Sequence, residues 1–299
     1  MTTDKPVPRS PLGILASATA THGTGRPDDI ALPRLPGFVE SAFSPLAYEV
    51  VRQCLAKRPD GGTSRSWGSP RASEAERGGE AEGGGEAEGG GGSRTAVALA
   101  GLMGDTTTAD LASRRMVAGR VHNPLLFMQA TPNSVLGHMS REFRITGQMF
   151  SLSTLDDSLT ELLAMADLLL EDPELDRVLV LGVELGGGER AAAVYRELAV
   201  DSHPLAGLPA NAGRAAALLL ARPGAGTPVT VRADQTHDSD TGTAACPGSI
   251  QGLFDLASVH RRLSRDGGSH RLATEPQAPA FILTADSEAR KETETHAHQ

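Results

Sequence analysis

With 299 residues, 39% of them hydrophobic, the chain is long enough for one large domain or two small ones with a real core. Its 28 lysines and arginines stand against 37 aspartates and glutamates, a formal net charge of −9, and no basic stripe with interleaved aromatics offsets it, so nucleic-acid binding is disfavoured. No uncharged apolar stretch reaches about 18 residues and the N-terminus shows no basic-then-apolar leader, so a cytoplasmic protein without membrane contact is expected.

In chain order, residues 1–11 read as a disordered N-terminus and 12–18 as a short apolar strand leading to a Thr21-His22-Gly23 turn. Residues 44–57 read as a helix, because Leu46, Ala47, Val50, Val51, Cys54 and Leu55 recur at three-to-four-residue spacing, with Ser44 as N-cap and Pro45 in the first turn. Cys54 then falls in the core. Residues 60–93 break the composition and contain Gly-Glu-Ala-Glu-Gly-Gly twice; within them, the six glutamates of 74–88, offset in that stretch only by Arg77, supply −5 of the net charge. Such a segment buries nothing and repels itself, so a disordered loop is expected. Apolar periodicity resumes on both sides and long surface insertions cost little closure entropy, so it reads as an insertion inside one domain.

Residues 95–100 then read as a buried strand, 105–117 and 134–143 as helices, and 148–153 as a strand. The clearest helix spans 155–171, with Leu159, Leu162, Leu163, Ala166, Leu169 and Leu170 apolar, Thr154 as cap, and Asp156 and Asp157 in its first turn at the positive end of the dipole. The apolar runs 177–183 and 215–221 are strands of the type covered on both faces. Beyond Pro223, residues 229–233 read as a strand, 249–263 as a helix, 280–285 as a strand and 287–299 as a disordered tail. Strands alternating with helices indicate an α/β layered sandwich.

Five collinear stretches carry a resemblance: Leu12-Gly13-Ile14 through Gly23; Ser44-Pro45-Leu46-Ala47-Tyr48; Val121 to His138 with Pro124, Pro132-Asn133 and Gly137-His138; Ile145-Thr146-Gly147-Gln148 through Ser153-Thr154; and Asp176 to Glu184 with Ala212-Gly213-Arg214. Together they resemble the N-terminal half of β-ketoacyl synthases and their chain-length-factor relatives, over residues 12–222 apart from the insertion. The resemblance implies a thiolase-like sandwich with a mixed, mainly parallel sheet, followed by a truncated C-terminal part at 223–286.

In active members of that family a cysteine follows the serine-threonine pair by two residues, at a helix N-terminus that lowers its pKa, and takes the acyl chain from an acyl carrier protein. Here Asp156 occupies the position. A carboxylate suits the dipole, but the mixed anhydride it would form is far more labile than a thioester, so condensation by Asp156 is not expected. The family also uses two histidines from a C-terminal half, and too little chain follows Arg222 to supply one. His237, in a partial echo of a histidine-glycine-threonine-glycine-threonine motif, follows too closely and carries an insertion.

Other candidates have plainer readings. His22 belongs to a turn. Cys246 precedes a helix, but no family motif surrounds it, and with Cys54 it makes neither a CxxC pair nor a disulfide framework. His138 reads as a packing neighbour. Gly186-Gly187-Gly188 lacks dinucleotide-site spacing, and no cofactor or metal is expected.

The resemblance implies a non-catalytic subunit pairing with an active ketosynthase, or with a second copy of itself, and meeting an acyl carrier protein. The expected interface is the strand Gln148, Met149, Phe150, Ser151, Leu152 and Ser153. Two other readings stand beside it: a divergent acyltransferase or decarboxylase using Asp156 or Asp157 as a base with His138 nearby, and a degenerate remnant that binds acyl carrier protein.

Overall fold

The computed structural model describes residues 7–57, 94–120, 125–154, 157–186, 188–197, 209, 212–224, 226–234, 249–273 and 279–285. The insertion at 60–93, the tail at 287–299, Asp156, His237 and Cys246 lie outside them. The elements up to the middle of the chain are β1 (Leu12–His22), α1 (Phe43–Ala56), β2 (Thr95–Ala100), α2 (Thr106–Val117), α3 (Leu125–Gln129), α4 (Pro132–Phe143) and β3 (Met149–Leu152). There follow α5 (Ser158–Leu169), β4 (Arg177–Leu185), α6 (Glu189–Glu197), β5 (Gly213–Ala221), β6 (Val229–Asp234), α7 (Gln251–Asp266), β7 (Ser269–Leu272) and β8 (Ala280–Ala285).

The eight strands make one mixed sheet in the order β3-β2-β4-β5-β1-β6-β8-β7. The α/β layering agrees with the sequence reading, but the expected mainly parallel pairing does not. Only β2 runs parallel to its neighbours β3 and β4, and the other five adjacent pairs are antiparallel. The physical reason lies in the apolar runs of β4 and β5. They report burial on both faces, which parallel sheets require but which an antiparallel pair covered by helices on both sides shows equally.

Alternation along β4 divides the core. Val178 and Val180 pack with Leu159, Leu162, Leu163 and Ala166 of α5 and with Leu253 and Leu256 of α7. Leu179 and Leu181 pack with Val50, Val51 and Cys54 of α1 and with Val135 and Met139 of α4. In β1 the alternation changes phase. Leu12 and Ile14 face the α5 and α7 layer, whereas Ala16, Ala18 and Ala20 face α1. The cause is a register shift between Ile14 and Ala16 against β5, because one extra residue turns every later side chain to the opposite face.

β6, α7, β7 and β8 extend this same sheet and layer: Phe281 and Leu283 of β8 share a core with Leu12 and Ile14. Gly182 lets α7 come down on β4, since a Cβ there would stand 2.6 Å from Ile250 Cγ2 and 2.8 Å from Leu253 Cδ1.

Two helix starts differ from expectation. Ser44 lies inside α1, whose first-turn amide, Phe43 N, donates to Ser41 Oγ at 3.1 Å. The helix expected over 155–171 begins at Ser158, because the Asp157 side chain caps it. Among the described residues no helix is long and apolar enough to cross a membrane.

Candidate functional site

The junction between β3 and α5 is where the sequence places its candidate chemistry. β3 is an edge strand with all four residues half-buried. Val97 N donates to the Gln148 carbonyl and Gly101 N to the Leu152 carbonyl. In a parallel ladder a residue's N–H and C=O address the same neighbour, so Gln148, Phe150 and Leu152 face β2. Met149 and Ser151 turn their backbone groups to the outer edge. Ser153 Oγ then donates to the Leu102 carbonyl at 2.8 Å, and Thr154 is buried with its hydroxyl unpartnered.

Asp157, 4% exposed, is the N-cap of α5. Its Oδ1 accepts from Leu159 N and Thr160 N, each at 3.2 Å, and its Oδ2 from the Thr160 hydroxyl. A carboxylate committed to three donors at a helix start has a capping task. Asp156, the residue before the cap, lies outside the described residues.

Beside this helix start sits a buried ionic network that the sequence reading missed. Glu184 and Arg214 are register partners on β4 and β5, with Arg214 Nε donating to Glu184 Oε2 at 2.8 Å. Arg214 Nη1 donates to Gln251 Oε1 at 2.6 Å and Nη2 to Ser249 Oγ at 2.9 Å. Ile250 N donates to Glu184 Oε1 at 2.6 Å. The guanidinium also lies 5.3 Å from the centre of the Phe254 ring, and Ser158 Oγ donates to the Ser249 carbonyl at 2.8 Å, joining the start of α5 to the start of α7. Burial pushes the Glu184 carboxyl up, and Arg214 counters it. The available signal was a charge at the end of each of two apolar runs, Glu184 after Val178 to Val183 and Arg214 before Ala215 to Leu220, which burial tolerates only as a pair.

The remaining candidates are apart from the junction. His138 on α4 packs edge-on against Phe38 at 5.8 Å and against Tyr48 at 5.7 Å. His22 holds the Ile30 carbonyl through Nδ1 at 2.9 Å. Cys54 is fully buried, and burial pushes its thiol up to about 12, as its place on the apolar stripe of α1 implied. Among the described residues no group of three or more His, Cys, Asp or Glu could hold a metal ion.

No family model matches the sequence, and no curated protein matches it. Solved structures do. The structure of ketosynthase ApeO in complex with its chain length factor ApeC, from Xenorhabdus doucetiae, matches at 14% identity and a TM-score of 0.55, over 91% of this chain and 98% of the matched one. The AntDE:AntF complex, a type II polyketide synthase acyl-carrier protein with its ketosynthase bound to the hexaketide, matches at 10% identity and a TM-score of 0.58, over 93% of this chain and 100% of the matched one. The chain thus has a ketosynthase-like, thiolase-type fold and spans nearly the whole length of both matched chains.

Proposed function

We propose that the chain is a non-catalytic, chain-length-factor-like subunit that pairs with an active ketosynthase in polyketide or fatty-acid assembly and meets an acyl carrier protein there. The observation that carries this reading is the chemistry of the β3 to α5 junction. Ser153, Thr154, Leu155, Asp156 and Asp157 offer no thiol, and Cys54 is sealed on the buried face of α1 with its ionisation suppressed. An acyl chain transferred to a carboxylate would be held as an anhydride open to hydrolysis, so the site does not suit the thioester relay of condensation.

Pairing is supported by the other face of the same segment. β3 presents the outward backbone groups of Met149 and Ser151, an edge that invites a second strand. The neighbouring α4 contacts both β3 and α3, and α3 exposes Leu125, Phe127 and Met128 at 56%, 41% and 62%. The two structural neighbours above are complexes of a ketosynthase with a chain length factor or with an acyl-carrier protein, which supports the kind of partner.

The test is co-expression with a candidate ketosynthase and acyl carrier protein, assayed for a stable heterodimer and for malonyl-dependent extension with wild type and Asp156→Ala. A heterodimer whose extension tolerates the substitution is the expected result. Turnover of acyl thioesters by the isolated chain, abolished by Asp156→Ala, would overturn the proposal.

A further inference from the structure

The two strands flanking β1 do not cover it equally. β6 pairs with β1 only through Leu12, Gly13 and Ile14, opposite Val231, Thr230 and Val229. Pro228, next along, has no N–H with which to extend the ladder. From Leu15 onward the edge of β1 opens, and the bulge there turns Ser17 toward α7. An open pocket of about 370 Å³ occupies the gap.

Leu15 and Pro228 give the pocket apolar walls, Ser17 and His260 are its polar lining, and Lys57 and Arg261 are cations on its margin. Arg265 also lines it but is engaged by Asp266 at 3.1 Å. No lining residue is acidic, although the chain as a whole carries −9. Lys57 Nζ reaches the Ser17 carbonyl at 3.4 Å, and among the described residues no carboxylate pairs with Lys57 or Arg261. Two cations gathered against a partly apolar hollow, with no carboxylate paired to either among the described residues, form a surface that favours an anion.

The polar lining is incompletely satisfied. Ser17 Oγ lies 2.8 Å from His260 Nδ1, and His260 is 6% exposed with its Nε2 making no hydrogen bond. The serine hydroxyl also lies 3.5 Å from the Ala257 carbonyl, so its one proton goes either there or to Nδ1. Burial, with the charges of Arg261 and Lys57, keeps this imidazole neutral, its pKa lowered to about 4. A ligand oxygen would answer the two cations.

We propose that this pocket binds a small organic oxyanion, a phosphate monoester or a carboxylate carried on a short apolar tail, with the head at Lys57 and Arg261 and the tail against Leu15 and Pro228. The site lies at β1 and α7, four strands away from the β3 edge, so it stands or falls separately from the pairing proposed above.

The test is isothermal titration of the full chain with n-butyl phosphate, with hexanoate, and with butanol as the neutral control. Saturable binding of either anion but not of butanol is expected, and which anion binds tells phosphate from carboxylate. Lys57→Gln and Arg261→Gln should each weaken it by about tenfold, the loss of one charge-assisted contact. Arg141→Gln, an exposed cation of α4, should leave it unchanged. No saturable binding of either anion, or equal affinity in the two pocket variants and wild type, would overturn the proposal.

Discussion

Arg214 and Glu184 face each other across β5 and β4, and their side chains pair at 2.8 Å while only 9% and 2% exposed. Every nitrogen of the guanidinium has an acceptor, and both oxygens of the carboxylate have a donor. The pair does more than neutralise itself. Through Ser249, Ile250 and Gln251 it fixes where α7 begins, and the Ser158 bond to the Ser249 carbonyl carries that constraint to the start of α5. The start of α5 at Ser158 is therefore tied to a charge network built from β4, β5 and the start of α7.

Breaking one side of such a pair is costly because the partner stays buried and charged. Arg214→Met should lower unfolding stability by about 3–5 kcal/mol, whereas Arg214→Met combined with Glu184→Gln should regain a large part of that loss. Urea denaturation of the two variants checks it. Equal losses would mean that the network contributes packing rather than charge compensation.

Asp157 is a cap in the geometry, so its removal should read as a stability change. Asp157→Ala should cost about 1–2 kcal/mol, and Asp157→Ser should recover most of it, because serine can still accept from the Thr160 amide. Thermal or urea unfolding of the pair decides. If Asp157→Ser is as damaging as Asp157→Ala, the carboxylate has a role that capping does not explain.

The parts of this fold that the sequence discloses are those with long periodic signals. The stripe of α1, the runs of β4 and β5, and β8 from Ala280 to Ala285 are all where periodicity puts them. The direction of strand pairing was not legible, since Val178 to Leu181 would look the same beside parallel or antiparallel neighbours. Nor was the bulge at Leu15: Leu12, Ile14, Ala16, Ala18 and Ala20 form one unbroken apolar alternation, so no break in it marks the point where β1 exchanges faces. α3 is five residues long and α6 is polar, too short and too weakly patterned to stand out. The Arg214 network and the Ser17 to His260 contact join residues 37 and 243 positions apart, a distance at which one sequence carries no pairing information.

His260 gives the stability a defined acid limb. Its folded pKa, lowered by burial to about 4, lies below the ordinary imidazole value of 6.5, so the unfolded chain takes up the proton first and stability falls as pH drops from about 6.5 toward 4. Between pH 7.5 and pH 4.5 this single group should remove about 2–3 kcal/mol. His260→Gln, which has nothing to protonate there, should lose less over the same range by about that amount. Parallel stability profiles for the two proteins would show that His260 is not buried neutral.

The outer edge of β3 can be blocked without touching its own ladder. The Ser151 amide faces away from β2 by the alternation set at Gln148 and Leu152, so Ser151→Pro removes an outward donor and puts a ring where an added strand would lie. Its unfolding midpoint should stay close to wild type, because the Gly101 and Val97 bonds to the Leu152 and Gln148 carbonyls remain. Assembly should respond instead. If β3 is the pairing edge, the variant should fail to form the complex with a ketosynthase, or a homodimer, as measured by sedimentation of the mixed and separate proteins. A variant that stays folded and assembles as well as wild type would move the interface away from β3, toward the apolar surface of α3.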